Sequence, residues 1–235
     1  MIKNPKLKKI AGIGAVVLVP VLFLIVFELG DHKFHALPIY GEKIAQGPGD
    51  TLYHEVPKFM FTNQYGEAYG SKQLDGKLMV VNFIFTRCPS ICPDMTSKML
   101  RLQWKLEMLD DPSIEDVKFV SLSVDPEHDT PEVLKEFAYK RFSGEVDHDR
   151  WNFLTGDKEA IYRLGSEGLY LAASEDVLAP GGFLHSEKFV LVDRDRHIRG
   201  YYNGTSIEEV DGLVDDIKLV LKEEKIKAAM AEENK

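Results

Sequence analysis

KLMVVNFIFTRCPSICPDM, residues 77–95, decides the fold. Residues 77–86 form a near-continuous apolar run, the pattern of a strand buried on both faces at the centre of a sheet. The stretch after it holds the chain's only two cysteines, Cys88 and Cys92, each followed by a proline. Beyond them Met95, Met99, Leu102, Leu106 and Leu109 recur at helical spacing. VKFVSLSVD (117–125) then reads as a second buried strand. The thiols therefore fall after a central strand and at the start of its helix.

The flanks extend the same pattern. Upstream, VPKFMFTNQYGEAYG (56–70) alternates and then turns, as a hairpin does. Downstream, TPEVLKEFAYKRF (130–142) opens a helix, with Thr130 as cap and Pro131 at its first position. DKEAIYRLGSE (157–167) gives a short helix, and EKFVLVD (187–193) and HIRGYY (197–202) form a hairpin. SIEEVDGLVDDIKLVLKEEKIK (206–227) closes the chain as an amphipathic helix, with Ser206 and Glu209 spaced as a capping box. The order predicts an α/β, thioredoxin-like domain over residues 54–224 with an N-terminal β-hairpin extension, followed by a frayed charged tail, 225–235.

The N-terminus is of another kind. Lys3, Lys6, Lys8 and Lys9 precede a run from Ile10 to Phe27 without a charge. With its flanks it is long enough for a hydrocarbon layer of about 30 Å. The lysines before it place the N-terminus in the cytoplasm. The expectation is a cytoplasmic segment (1–9), one transmembrane helix (10–29) and a Gly/Pro-broken linker (30–53); a cleaved signal peptide is the rival reading, disfavoured by the length of the run and the lack of an A-x-A site after it. The protein is then single-pass in the inner membrane of a bacterium, with its domain on the periplasmic or outer side. A net charge of −9 argues against a nucleic-acid partner.

Three chemistries suit the thiol pair: a disulfide switch, a peroxide-reactive nucleophile with its partner, or two ligands of a metal site. A helix start favours thiolates, so both cysteines are expected to be acidic. Residues four apart on a helical turn share a face, with Cβ atoms about 5–6 Å apart. That separation suits one soft metal ion and lies within reach of a Cys88–Cys92 disulfide. Thr86 stands only two residues before Cys88, one short of the peroxidase pattern. A metal on two thiolates calls for a third ligand. Of seven histidines, His185 stands out, in APGGFLHSEKFVLVD just before a buried strand. His32, His35, His54, His148 and His197 read as linker or surface residues.

Taken together, FTRCPSICP (85–93), SVDPEHDTPEVLKEFA (123–138), W-x-F-L-T-G (151–156) and HSEKFVLVD (185–193) resemble the Sco/SenC family, copper proteins that assist cytochrome c oxidase assembly. The resemblance runs from His54 to Leu221. It implies copper, as Cu(I) or Cu(II), held by Cys88, Cys92 and His185, with Asp125 supporting the site without ligating. It also implies an upstream copper donor and delivery to the binuclear copper site of cytochrome c oxidase subunit II. The same pair, cycling as a disulfide, equally suits a thiol-disulfide reductase acting on that site's cysteines. A redox or copper sensor is a third class. Phe183, Arg87 and His128 depart from the family pattern without removing a ligand.

Overall fold

The computed structural model describes residues 36–47, 50–89, 91–142, 147–171, 173–175 and 183–233. The apolar run of residues 10–29 lies outside them, as do His32 and His35. Among the described residues no helix is long and apolar enough to cross a membrane.

The expected central strand is β5 (Leu78–Ile84), buried at every position. Helix α1 (Ile91–Glu107) follows it, then β6 (Val117–Ser123), helix α2 (Pro131–Phe142) and β7 (Trp151–Thr155). The three strands run parallel, with Ile84 opposite Ser123 and Val120 opposite Asn152. A buried polar relay ties them: the Trp151 indole donates to Ser121 Oγ at 2.9 Å, and Ser121 donates to Asn82 at 2.7 Å. Because each group in the relay has a partner, its burial carries little penalty and fixes the strands' mutual position.

Antiparallel strands complete the sheet. On one side the hairpin of β10 (Lys188–Val192) and β11 (Ile198–Asn203) joins through β10 to β5. On the other, β3 (Met60–Asn63) and β4 (Ala68–Gly70) join through β3 to β7. The seven-stranded order is β11-β10-β5-β6-β7-β3-β4. Helix α3 (Lys158–Arg163) follows β7 and is capped by Asp157, which accepts from the Ala160 N–H. Helix α4 (Ile207–Glu233) packs on α1, where Arg101 grips Asp211 through two hydrogen bonds of 3.0 Å.

The α/β architecture and the two hairpins agree with the reading from sequence, and three local expectations change. The stretch 151–155, not counted there as a strand, is β7. The part of the linker between residues 36 and 53 is tied to the domain. It carries the hairpin of β1 (Lys43–Gly47) and β2 (Asp50–Tyr53), in which Ile44 faces Leu52. Helix α4 runs through most of the supposed frayed tail to Glu233, since Ala, Met, Lys and Glu are good helix formers. At its start the Glu209 N–H donates to Ser206 Oγ, but the Glu209 carboxylate turns to the Asn203 N–H, so the capping box is half made.

What binds the linker is a buried charge cluster. Arg199 donates to Glu223 at 2.6 Å, to Asp193 at 3.2 Å and to the Leu37 carbonyl at 2.9 Å. The Leu37 N–H returns a bond to Glu223, and the Tyr40 N–H donates to the Ile198 carbonyl. Removing one partner from such a cluster leaves buried charges uncompensated. Arg199→Leu is therefore expected to cost about 3 kcal/mol or more, measured as the loss of unfolding free energy in urea. A loss below about 1 kcal/mol would mean that water reaches the two carboxylates.

Candidate metal and thiol site

The site is built where β5 ends. Phe85 continues inward, the Cys88 N–H donates back to the Phe85 carbonyl at 3.2 Å, and α1 begins at Ile91. Cys92 thus sits in the first turn of the helix. Its carbonyl accepts from Thr96 Oγ1 at 2.5 Å. Both cysteines are reduced and buried, Cys88 8% exposed and Cys92 1%. The two thiols are within hydrogen-bonding contact of each other.

Burial reverses one expectation. Taking a thiolate out of water costs more than the helix terminus returns. Desolvation pushes the Cys92 thiol far up, and the neighbouring Cys88 and the charge of Asp129 push the same way. A hydrogen bond with the Phe85 backbone opposes them and is outweighed. Cys92 is therefore not the acidic thiol that its place at a helix start suggested.

A carboxylate that sequence reasoning missed holds the loop in place. Asp129 is fully buried. It accepts from the Thr86 N–H at 3.1 Å, from Thr86 Oγ1 at 2.5 Å and from Ser123 Oγ at 2.6 Å. It so links the exit of β5 to the exit of β6, two residues from Cys88. The signal was present in the segment VDPEHDTP, where Asp129 precedes the Thr130 cap and reads as part of the helix start. Asp125 lies four residues earlier in the same loop, and its carboxylate pairs with Arg87 at 2.5 Å. Arg87 is mostly exposed and Asp125 buried, so the pair fixes the residue next to Cys88 from the solvent side. His128 is exposed, with its N–H on the Asp125 carbonyl.

His185 is the last residue of β9 (Phe183–His185), which pairs with β8 (Ala173–Glu175), Ala173 opposite His185. Its side chain lies outside the described residues. Strand β10 starts three residues later and runs antiparallel to β5, so it begins at the edge of the sheet where β5 ends. The backbone of His185 therefore enters the fold at the same edge as the thiols. Among the described residues another set with metal-ligand chemistry is Asp193, Asp195 and His197. It lies in the β10–β11 turn at the opposite edge. Asp193 there is already engaged with Arg199 and accepts the N–H groups of Asp195 and His197, as a turn requires.

Two outcomes are expected. Asp129→Ala strands one buried donor, on Ser123, and two half-buried ones, on Thr86, and should lower stability by about 2 kcal/mol, read by urea denaturation; a loss under about 1 kcal/mol would show that these donors find other partners. In the metal-free protein, Cys92 should react with iodoacetamide much more slowly at pH 7 than a free cysteine and speed up only in alkaline solution. Mass mapping of the labelled peptide checks this, and a fast neutral reaction would refute it.

The geometry can be set beside known proteins. The SCO1/SenC family model matches residues 49–222. The SCO1 protein homolog of Bacillus subtilis is 34% identical over 169 residues, covering 72% of this chain and 84% of that protein. A structure that identified a disulfide switch in BsSco, a member of the Sco family of cytochrome c oxidase assembly proteins, superposes with a TM-score of 0.61 at 33% identity. It covers 76% of this chain and 98% of that one. The structure of Bradyrhizobium japonicum ScoI with copper bound matches with a TM-score of 0.52 at 26% identity, covering 68% of this chain and 98% of that one. With so much of the domain matched in sequence and in fold, the chain belongs to the SCO1/SenC family.

Proposed function

We propose that this protein is a membrane-anchored copper carrier that delivers copper to the binuclear copper site of cytochrome c oxidase subunit II. Its anchor is residues 10–29, in the inner membrane of a bacterium, with the domain on the periplasmic or outer side. The observation that carries the reading is the pair of buried, mutually contacting thiols at the start of α1, at the sheet edge where the His185 backbone enters. Copper-bound relatives of the same fold support it.

The donor set fits copper. Sulfur ligands favour Cu(I), and imidazole serves either oxidation state. A buried thiol that resists ionisation alone is ionised readily by a soft cation, whose charge replaces the missing water. Cys88 and Cys92 would hold the ion in both states, with His185 as the third ligand. The Arg87–Asp125 pair orients the backbone beside Cys88 without ligating. Copper is here the cargo: it arrives from an upstream donor and leaves to the oxidase subunit.

A second reading is favoured by the contact between the thiols, which lets them close into a disulfide. In that case they reduce the acceptor's cysteines, and two electrons and two protons pass to the target disulfide as Cys88–Cys92 forms. The identification of a disulfide switch in BsSco lends it weight.

Substituting His185 separates the two. His185→Ala should abolish stable Cu(II) binding and its thiolate-to-copper absorption, leave part of the Cu(I) binding on the two thiols, and stop oxidase assembly as fully as Cys88→Ser. Disulfide exchange should be unchanged. Oxidase assembly that survives the loss of copper binding would replace the carrier with the reductase.

A further inference from the structure

The hairpin that brings in His185 leaves the core through Leu171, and the residues just before it are gripped one after another. The Gly168 carbonyl accepts from His54 Nε2 at 2.8 Å. The Leu169 carbonyl accepts from the Tyr201 hydroxyl at 3.1 Å. The Tyr170 hydroxyl lies 3.1 Å from His54 Nδ1, and the two rings pack with centroids 4.6 Å apart. One neutral tautomer of His54 satisfies both bonds: Nε2–H donates to Gly168 and Nδ1 accepts from Tyr170. Below this, the Leu171 N–H is held by the Gly165 carbonyl at 2.8 Å.

Two backbone features show that the grip is tight. Tyr170 has φ +52°, the left-handed region, which costs a residue with a side chain about 1 kcal/mol and persists only where its surroundings impose it. Gly41, at φ +100°, passes directly over the pair. A Cβ there would lie 2.7 Å from His54 Cβ and 3.1 Å from Tyr170 Cε2. The strap from Leu37 to His54 is thus shaped to lay His54 against the root of β8, and it is bound in turn to β11 and α4 through Leu37 and Tyr40.

We propose that His54, with Tyr170 and Tyr201, forms the positioning clamp of the copper site: it sets the direction in which β8 leaves the core and hence where β9 brings His185. This rests on the copper reading above. The clamp acts through the backbone and touches no metal. It matters for Cu(II), which draws on His185, more than for Cu(I), which the thiols hold.

The test compares full-length wild type, His54→Phe and His54→Gln. Phenylalanine keeps the ring contact and loses both hydrogen bonds, whereas the glutamine amide still donates to Gly168. Amide exchange of the metal-free protein at residues 169–175 and 183–187 is measured against the amides of β5 and β6. Cu(II) binding is followed with copper(II) chloride by charge-transfer absorption and electron paramagnetic resonance, and Cu(I) binding by competition with a chelator. In His54→Phe the hairpin amides should exchange about tenfold faster and the Cu(II) dissociation constant should rise about tenfold. Cu(I) affinity and the β5 and β6 amides should stay within about twofold, and glutamine should restore much of the loss. Should His54→Phe fail to fold, Tyr201→Phe removes the Leu169 bond alone and should act in the same direction by about threefold. Unchanged hairpin exchange, or faster exchange with an unchanged Cu(II) signature, overturns the clamp. A wild type without any Cu(II) signature overturns the copper reading itself, whereas a normal wild type matched by its variant removes the clamp alone.

Discussion

One buried carboxylate organises the working edge of this domain. A negative charge out of water must be met by donors, and Asp129 finds three, on Thr86 and Ser123. Those donors are in reach because β5 and β6 pair in parallel with Ile84 opposite Ser123. The register of the central strands therefore sets the position of Thr86, Thr86 sets the course of Arg87 and Cys88, and that course decides where α1 starts. Asp125 adds a second tie from the same loop to Arg87. The cysteine loop is held by charge on one side and by the helix on the other.

The thiols themselves are placed by packing. Cys92 shares the buried face of α1 with Met95, Met99 and Leu102, so it belongs to the core as much as to the site. That double membership explains the conflict between helix terminus and burial at this residue. The terminus acts through partial charges at its end, while burial removes the whole solvation of a thiolate, which is the larger effect. In the carrier reading an arriving cation resolves the conflict, and in the reductase reading the formation of a neutral disulfide resolves it. Both chemistries end with sulfur that carries no unpaired charge.

How much of this could be read from the chain depends on the range of the interactions. Strands β5 and β6, helices α1 and α2 and the β10–β11 hairpin announce themselves by apolar runs and caps, which are local. So does the place of Cys88 and Cys92 at a strand-to-helix junction. Strand β7 was hidden because five residues, WNFLT, are too few for a period to show. The strap was hidden because Gly41 and its neighbours look like breaks, whereas Leu37 is tied to Arg199 and Glu223, more than 160 residues away. Asp129 was hidden for the same reason: its three bonds come from two other segments, and nothing in DPEHDTP marks which acid turns inward.

Among the described residues the hairpin of β8 and β9 pairs with itself as a separate two-stranded sheet and shares no ladder with the seven-stranded one. Its loss would leave the relay of Asn82, Ser121 and Trp151 and the cluster around Arg199 as they are. In the carrier reading, where His185 is a ligand, fold and site thus respond to mutation separately. A substitution in Ala173–Glu175 or Phe183–His185 can yield a chain that is abundant, soluble and resistant to proteases, because quality control responds to global unfolding. Such a defect would escape any screen based on expression or melting and surface only as a missing metal.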